Sequence, residues 1–253
     1  MAVGSILLIT GGGGGLGSLV AASEAANFSE IALLDRNQSK LKAAADKLKS
    51  VGDAKVHLLL ADVCDQKQIQ DVLSPFPSLD GLVNAAGVLG PVAAFGNEKW
   101  DDWANAIAVN LVGNAAVCRA ALPALLKSRR GKIVNFSGGG AAGVRVYHSA
   151  YAASKAAMVK FTETIAAEYP GLDANAIAPG AHKTGIWDNE THDKEPEKWA
   201  EPERFCSLVS FLLSEKSDGI TGKLIHIYDP WETFKPDISK SEMYTLRRVE
   251  PKR

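Results

Sequence analysis

Short apolar runs alternate along the chain with longer stretches whose apolar residues recur every third or fourth position. The runs are Ile6 to Ile9, Ile31 to Leu34, Val56 to Leu60, Leu79 to Val83, Lys132 to Phe136, Ala174 to Ile177 and Leu224 to Ile227. Being mostly apolar on both faces rather than at alternate positions only, they predict strands buried on both faces. Between them, Leu16 to Phe28, Ser39 to Ser50, Gln66 to Leu73, Asp101 to Leu126, Ala150 to Tyr169 and Glu201 to Leu213 read as helices. Strands joined through helices predict a parallel sheet covered on both sides, and the right-handed crossover rule makes it doubly wound α/β.

Two segments break the rhythm. Residues 180–200 form a charged insertion after the sixth strand, with His182, Trp187, His192 and Trp199. Residues 229–253 form a Pro-containing tail that would ordinarily be frayed. Its Trp231, Phe234, Tyr244 and Leu246 argue instead that it docks on the domain or on a neighbouring subunit. No Pro- or Ser-rich linker and no repeat divides the rest, so residues 1–228 are expected to form one domain.

Composition narrows the function. With 46% hydrophobic and 23% charged residues, disordered, collagen-like and coiled-coil chains are excluded. Lys+Arg 28 against Asp+Glu 29 leaves no global field to attract nucleic acid or an acidic membrane. No uninterrupted apolar stretch reaches the ~18 residues of a membrane span, and the N-terminus lacks a basic leader region. Cys64, Cys118 and Cys206 are too few and scattered for a disulfide framework or metal site, and are expected to be buried small hydrophobes. A cytoplasmic protein without a metal is the expectation.

Chemistry enters at the first glycine cluster. Thr10-Gly11-Gly12-Gly13-Gly14-Gly15-Leu16-Gly17 follows a strand and opens a helix. Glycines there permit a tight turn and close approach of the backbone to a pyrophosphate, while the helix N-terminus offers free N–H groups. Asp35 ends the second strand at the spacing of a carboxylate that accepts a ribose 2′-hydroxyl, and it would repel a 2′-phosphate. The glycine loop has no Arg or Lys to bind one. NAD is therefore expected over NADP, tempered only by Arg36, whose side chain can swing towards a phosphate.

Tyr151 and Lys155 stand four apart in a helical segment, hence on one face. A phenol normally ionises near pH ~10, and a neighbouring ammonium is expected to lower that value. Such a tyrosine can take a proton from an alcohol as hydride leaves its carbon, or return one in the reverse direction.

In order along the chain stand Thr10-Gly-x-x-x-Gly15-x-Gly17, Asp62-Val63, Asn84-Ala85-Ala86-Gly87, Asn110, Tyr151-x-x-x-Lys155 and Pro179-Gly180-x-x-x-Thr184. This series resembles the short-chain dehydrogenase/reductase family from about Ser5 to Ile227. The resemblance implies a Rossmann-type α/β/α sandwich with a seven-stranded parallel sheet, a nicotinamide cofactor, and a homodimer or homotetramer. It also implies roles. Gly11, Gly15 and Gly17, with Leu16 between them, would line the pyrophosphate, and Asp62 and Val63 the adenine. Asn84, Ala85, Ala86 and Gly87 would follow the fourth strand beside the cofactor, and Pro179, Gly180 and Thr184 would close on its carboxamide end. Lys155 would bond the nicotinamide ribose, and Asn110 would hold a water linking Lys155 to solvent.

One feature departs from the family pattern. The family's substrate-binding serine, 13 residues before the tyrosine, is replaced here by Gly138, with Ser137 one position earlier. Loss of such a donor costs ≈ 2.7–4 kcal/mol in the transition state. Ser137, the backbone N–H groups of Gly138 to Gly140, and His148 or Ser149 are the candidate substitutes, with Ser137 or the backbone preferred. The two tryptophans and many charges of 180–200 lean towards a polar, sugar- or polyol-like alcohol, although tryptophans buried under a solvated lid explain them equally. The expected activity is reversible oxidation of a secondary alcohol to a ketone. The alternative is a sensor of the same fold that binds NAD(H) without turnover. Nucleotide-sugar epimerase chemistry is disfavoured because it usually requires a longer C-terminal domain.

Overall fold

The computed structural model describes residues 4–248; residues 1–3 of the expected domain and 249–253 of the expected tail lie outside them. Seven parallel strands form one sheet: β1 Ile6–Thr10, β2 Glu30–Asp35, β3 Lys55–Leu60, β4 Gly81–Asn84, β5 Gly131–Phe136, β6 Leu172–Ala178 and β7 Leu224–His226. Their order is β3-β2-β1-β4-β5-β6-β7, so the winding reverses between β1 and β4. That switch point opens a crevice beyond the carboxyl ends of the strands.

The sheet is a three-layer core because alternate residues of a strand face opposite sides. Leu7 and Ile9 of β1 pack with Val20, Leu33, Phe205 and Leu208 on one face. Ile6 and Leu8 pack with Leu34, Leu82, Val117 and Leu125 on the other. Covering helices are α1 Gly15–Glu24, α2 Gln38–Leu48, α3 Gln66–Leu73, α4 Trp100–Ile107, α5 Asn114–Leu125, α6 Ser149–Glu168 and α7 Pro202–Leu213. Local chemistry starts three of them close to the expected places. Asn37 accepts the Lys40 N–H, Asp65 accepts those of Lys67 and Gln68, and α7 begins on proline.

Four expectations change. The strand at 55–60 is not buried on both faces: as the sheet's edge it leaves Leu58 and Leu60 42% and 51% exposed. The first helix stops at Glu24, short of Phe28. The helix expected from Asp101 to Leu126 is broken by a π-helical turn, Ala108–Gly113. It is long and apolar enough to cross a membrane by length and composition, yet it lies along the sheet with Val117, Cys118, Ala121 and Leu125 in the core. Of the cysteines only Cys118 is buried, while Cys64 is exposed.

The tail packs on the domain as far as it is described. Trp231 and Phe234 join the α7 side of the core. Beyond them, Tyr244 accepts the N–H of Leu224 at 2.7 Å, and the Lys223 ammonium donates to the carbonyls of Ser241 and Met243.

Candidate active site

A cavity of about 990 Å³ occupies the crevice at the switch point. Its floor is the glycine loop. Gly11 has φ +62°, and a Cβ there would stand 2.9 Å from the backbone of Ala86. A Cβ on Gly17 would strike the Gly11 carbonyl, and one on Gly15 would lie 2.5 Å from the Thr184 methyl. The N-cap of α1, Gly14, supplies no side-chain acceptor, and the first turn contains no acid. The loop therefore presents a bare helix N-terminus to the cavity, the arrangement that accepts a phosphate.

Asp35 and Arg36 line the next stretch. The Asp35 carboxylate accepts N–H groups from Gly13 at 3.2 Å and Asn37 at 2.9 Å, which fixes it beside the loop. Arg36 points away from the core, 3.6 Å from Asp62. Asp62 and Val63 line the same wall, as do Ala85, Ala86 and Gly87. Asn84 lies deeper. Its amide donates to Asn135 at 2.8 Å in a buried network that continues to Thr162 and ties the strand ends together. Gly180 has φ +77°, and a Cβ there would also meet Ala200 and Ile227, while the Pro179 carbonyl lies 2.8 Å from His182 Nε2 as its acceptor.

Tyr151 and Lys155 rise from α6 into the cavity. Lys155 is buried and its ammonium donates to the Phe136 carbonyl at 2.9 Å, 5.5 Å from the centre of the Tyr151 ring. Burial pulls its pKa down to about 8. Gly87 lies between Lys155 and Asn110, its Cβ position 3.5 Å from Nζ and 3.2 Å from Oδ1. The Asn110 side chain is pinned across Val88, accepting its N–H at 2.8 Å and donating to its carbonyl at 2.9 Å and to Ser154 Oγ at 3.1 Å. Asn110 sits in the π-helical turn, a distortion common at functional sites.

The phenol does not behave as the sequence suggested. Burial pushes Tyr151 above the ordinary tyrosine value, and the Arg145 guanidinium opposes this. Arg145 was missed by sequence reasoning. Its guanidinium carbon lies 5.4 Å from the ring centre, and it is paired with Glu190 and Asp193 of the insertion.

The proposed substitutes for the missing serine are mostly engaged elsewhere. Ser137 is buried and its hydroxyl donates to the Lys155 carbonyl at 3.0 Å. The ring nitrogens of His148 meet the Val146 carbonyl and Glu190 at 2.6 and 2.8 Å. Ser149 accepts from the Trp103 indole and donates to Glu98. Gly138 itself faces Tyr151, whose hydroxyl lies 2.9 Å from the glycine's Cβ position. The donor atoms of His148, Glu190 and Asp193 lie within 4.8 Å of one another, a spacing compatible with a cation, but the Arg145 guanidinium already provides the positive charge there.

Against this geometry, the family model for short chain dehydrogenases matches residues 5–195. The chain belongs to the short-chain dehydrogenase family. The 2-(S)-hydroxypropyl-CoM dehydrogenase 3 of Xanthobacter autotrophicus is 33% identical, over 86% of this chain and 92% of its own. D-threitol dehydrogenase of Mycolicibacterium smegmatis is 31% identical, over 87% and 89%. A short-chain dehydrogenase of Escherichia coli CFT073, solved with NADPH, superposes with a TM-score of 0.81 at 28% identity, covering 89% of this chain and 97% of that one. As a member of this family the chain is an oxidoreductase that acts on CH–OH groups of small alcohols or ketones with a nicotinamide cofactor. The relatives' names differ in substrate, so the choice of substrate rests on the site and not on the fold.

Proposed function

We propose that this short-chain dehydrogenase uses NAD(H) to interconvert a secondary alcohol and a ketone on a polar, polyol- or sugar-like substrate. The observation that carries the reading is one continuous cavity lined by Asp35 and the bare glycine loop at one end and by Tyr151 and Lys155 at the other. The Cβ-free approach at Gly11, Gly15 and Gly17 fits a dinucleotide pyrophosphate. Asp35, held by two backbone N–H groups, fits ribose hydroxyls and opposes a further phosphate.

When bound, the cofactor supplies the hydride acceptor or donor. Gly11, Gly15, Leu16 and Gly17 would hold its pyrophosphate, Asp62 and Val63 its adenine, and Ala85 to Gly87 its middle, with Asn84 supporting them from below through Asn135. Pro179, Gly180 and Thr184 would hold its far end. In the oxidation direction Tyr151, as its phenolate, takes the alcohol proton and becomes the neutral phenol, and in reduction the phenol gives that proton to the carbonyl oxygen and is left as the phenolate. Lys155 would hold the ribose from its place on the Phe136 carbonyl, and Asn110, across the Gly87 position from its ammonium, would bind the water that links it to solvent. With Ser137 turned towards Lys155, the backbone N–H groups from Gly138 to Gly140 are the donors for the substrate oxygen. Asp188, Asn189 and Asp229 also line the cavity, which suits hydroxyl groups better than an acyl chain.

The test is turnover of a panel of polyols, sugars and simple ketones, followed by nicotinamide absorbance, with NAD(H) and NADP(H) compared. Tyr151→Phe should abolish turnover while NADH still binds. A wild-type chain that binds NADH tightly and turns over nothing on the panel favours the sensor instead.

A further inference from the structure

Gly138 deprives the site of a hydroxyl, and the nearby side chains that might replace it are hydrogen-bonded elsewhere. One charged group from outside α6 still reaches Tyr151. Arg145 lines the cavity with its guanidinium carbon 5.4 Å from the ring centre. It does not hang free. Its Nε donates to Asp193 at 2.8 Å and its Nη2 to Glu190 at 2.7 Å, and its side chain is only 18% exposed. Glu190 is in turn fixed by the His148 ring and by the N–H groups of His192 and Asp193.

The backbone is bent to make this clamp. Tyr147 adopts φ +64°, a left-handed conformation that a bulky residue rarely takes and that clusters at functional sites. The turn is held by the Ala93 N–H on the Tyr147 carbonyl at 3.0 Å, and the Tyr147 ring packs edge-on to His192 at 4.3 Å. Thus the loop carrying Arg145 and the insertion carrying Glu190 and Asp193 are joined at three side chains.

We propose that Arg145 is a positioning residue for proton transfer: clamped by Glu190 and Asp193, it holds a fixed positive charge against the Tyr151 ring and stabilises the phenolate that the reaction requires. The inference rests on Tyr151 being the proton-transfer group of the preceding reading. The charged groups around this phenol are Arg145 from its loop, with Glu190, Asp193 and His148 behind it, and Lys155 from its own helix, 5.5 Å from the ring centre. The guanidinium, 5.4 Å from the ring centre, opposes the upward push of burial on Tyr151. The two carboxylates neutralise much of its charge at long range but fix its position, which a mobile arginine would lack.

The ionisation of Tyr151 can be read without any substrate. The full chain is labelled with fluorotyrosine, and ¹⁹F NMR follows each of the five tyrosines through a pH titration, the Tyr151 signal being the one lost in Tyr151→Phe. Arg145→Met should raise the Tyr151 midpoint by roughly half to one pH unit, the low end for a charge at this range because the guanidinium is paired. Arg145→Lys should restore most of the shift. If Arg145→Met does not fold, Arg145→Gln removes the charge while keeping a polar contact to the acids, and it carries the same expectation. A midpoint that stays within about 0.2 unit of wild type, or a shift that Arg145→Lys does not reverse, overturns the proposal. Turnover surviving in Tyr151→Phe would instead overturn the functional reading and leave the titration standing, so the two failures are distinct.

Discussion

Substituting Gly138 by alanine tests the site at its departure from the family pattern. Gly138 does not have a positive φ, so alanine fits the backbone and should be neutral or stabilising by roughly 0.4–1 kcal/mol through the unfolded chain. Its Cβ would stand 2.9, 3.5 and 3.6 Å from the Oη, Cζ and Cε1 of Tyr151, and these are the three nearest atoms. Ordinary contact begins at 3.4 Å, so the hydroxyl must retreat by about half an ångström, the difference between 3.4 and 2.9. A misplacement of one ångström can cost ~10²-fold in rate, so half of that predicts a loss of about tenfold in kcat, near 1.4 kcal/mol. The assay is kcat and KM on the best polyol or sugar substrate, with NADH affinity by fluorescence and Tm on the same protein. Cofactor affinity and Tm should hold while kcat falls. Gly138→Ser places the same carbon but adds a donor of the kind worth 10²–10³-fold elsewhere, so it should outperform the alanine variant. An alanine variant at wild-type rate would refute the reasoning, as would one that lost NADH binding in step with kcat.

Three further expectations concern cofactor, charge and core. Asp35→Ala should shift the ratio of NADPH to NADH affinity towards NADPH by at least about tenfold in fluorescence titrations, since it removes a carboxylate that would oppose the extra phosphate. Lys155 holds its proton less firmly folded, at about 8, than in the unfolded chain at ~10.4. Between those values the unfolded chain binds more protons, so the contribution of Lys155 to stability rises with pH and is least favourable below about 8. Lys155→Met should therefore abolish turnover without lowering urea stability at neutral pH, and its advantage over wild type should shrink as pH rises from 8 towards 10. Asp173, 1% exposed, accepts from Lys132 at 2.7 Å and from Arg130 at 2.5 Å. Asp173→Ala takes one of two carboxylate partners from buried Lys132, which keeps Asp218, and the partner of half-buried Arg130, and should cost about 3 kcal/mol in urea unfolding.

How much of this was legible in the sequence depends on how local the information is. The glycine loop could be read because strand, turn and helix follow one another within residues 6–24. Tyr151 and Lys155 could be read because a helix turns spacing of four into a shared face. Arg145 could not: its partners Glu190 and Asp193 stand 45 and 48 residues away, and no short-range period links them. The acid-rich insertion was the available signal, but it suggested a substrate lid rather than a clamp on a particular arginine. The exposed face of β3 was likewise hidden, because its apolar sequence does not reveal that it ends the sheet.

Ser137 shows why a near miss in sequence is a large displacement in space. Its N–H still bonds across the sheet to Ile177, so the chain is extended as it leaves β5. In extended chain successive side chains point to opposite sides. Ser137 accordingly turns its hydroxyl to the backbone of α6, while Gly138 turns its missing side chain to the Tyr151 hydroxyl. A serine moved by one residue has changed faces, and only a shift in strand register could bring it back. The cost would fall on β5, whose residues from Gly131 to Phe136 are all buried and paired with β6. The fold therefore holds Ser137 away from the Tyr151 hydroxyl more firmly than a loop would, and in the proposed reading the glycine backbone beside Tyr151 would donate to the substrate oxygen in its place.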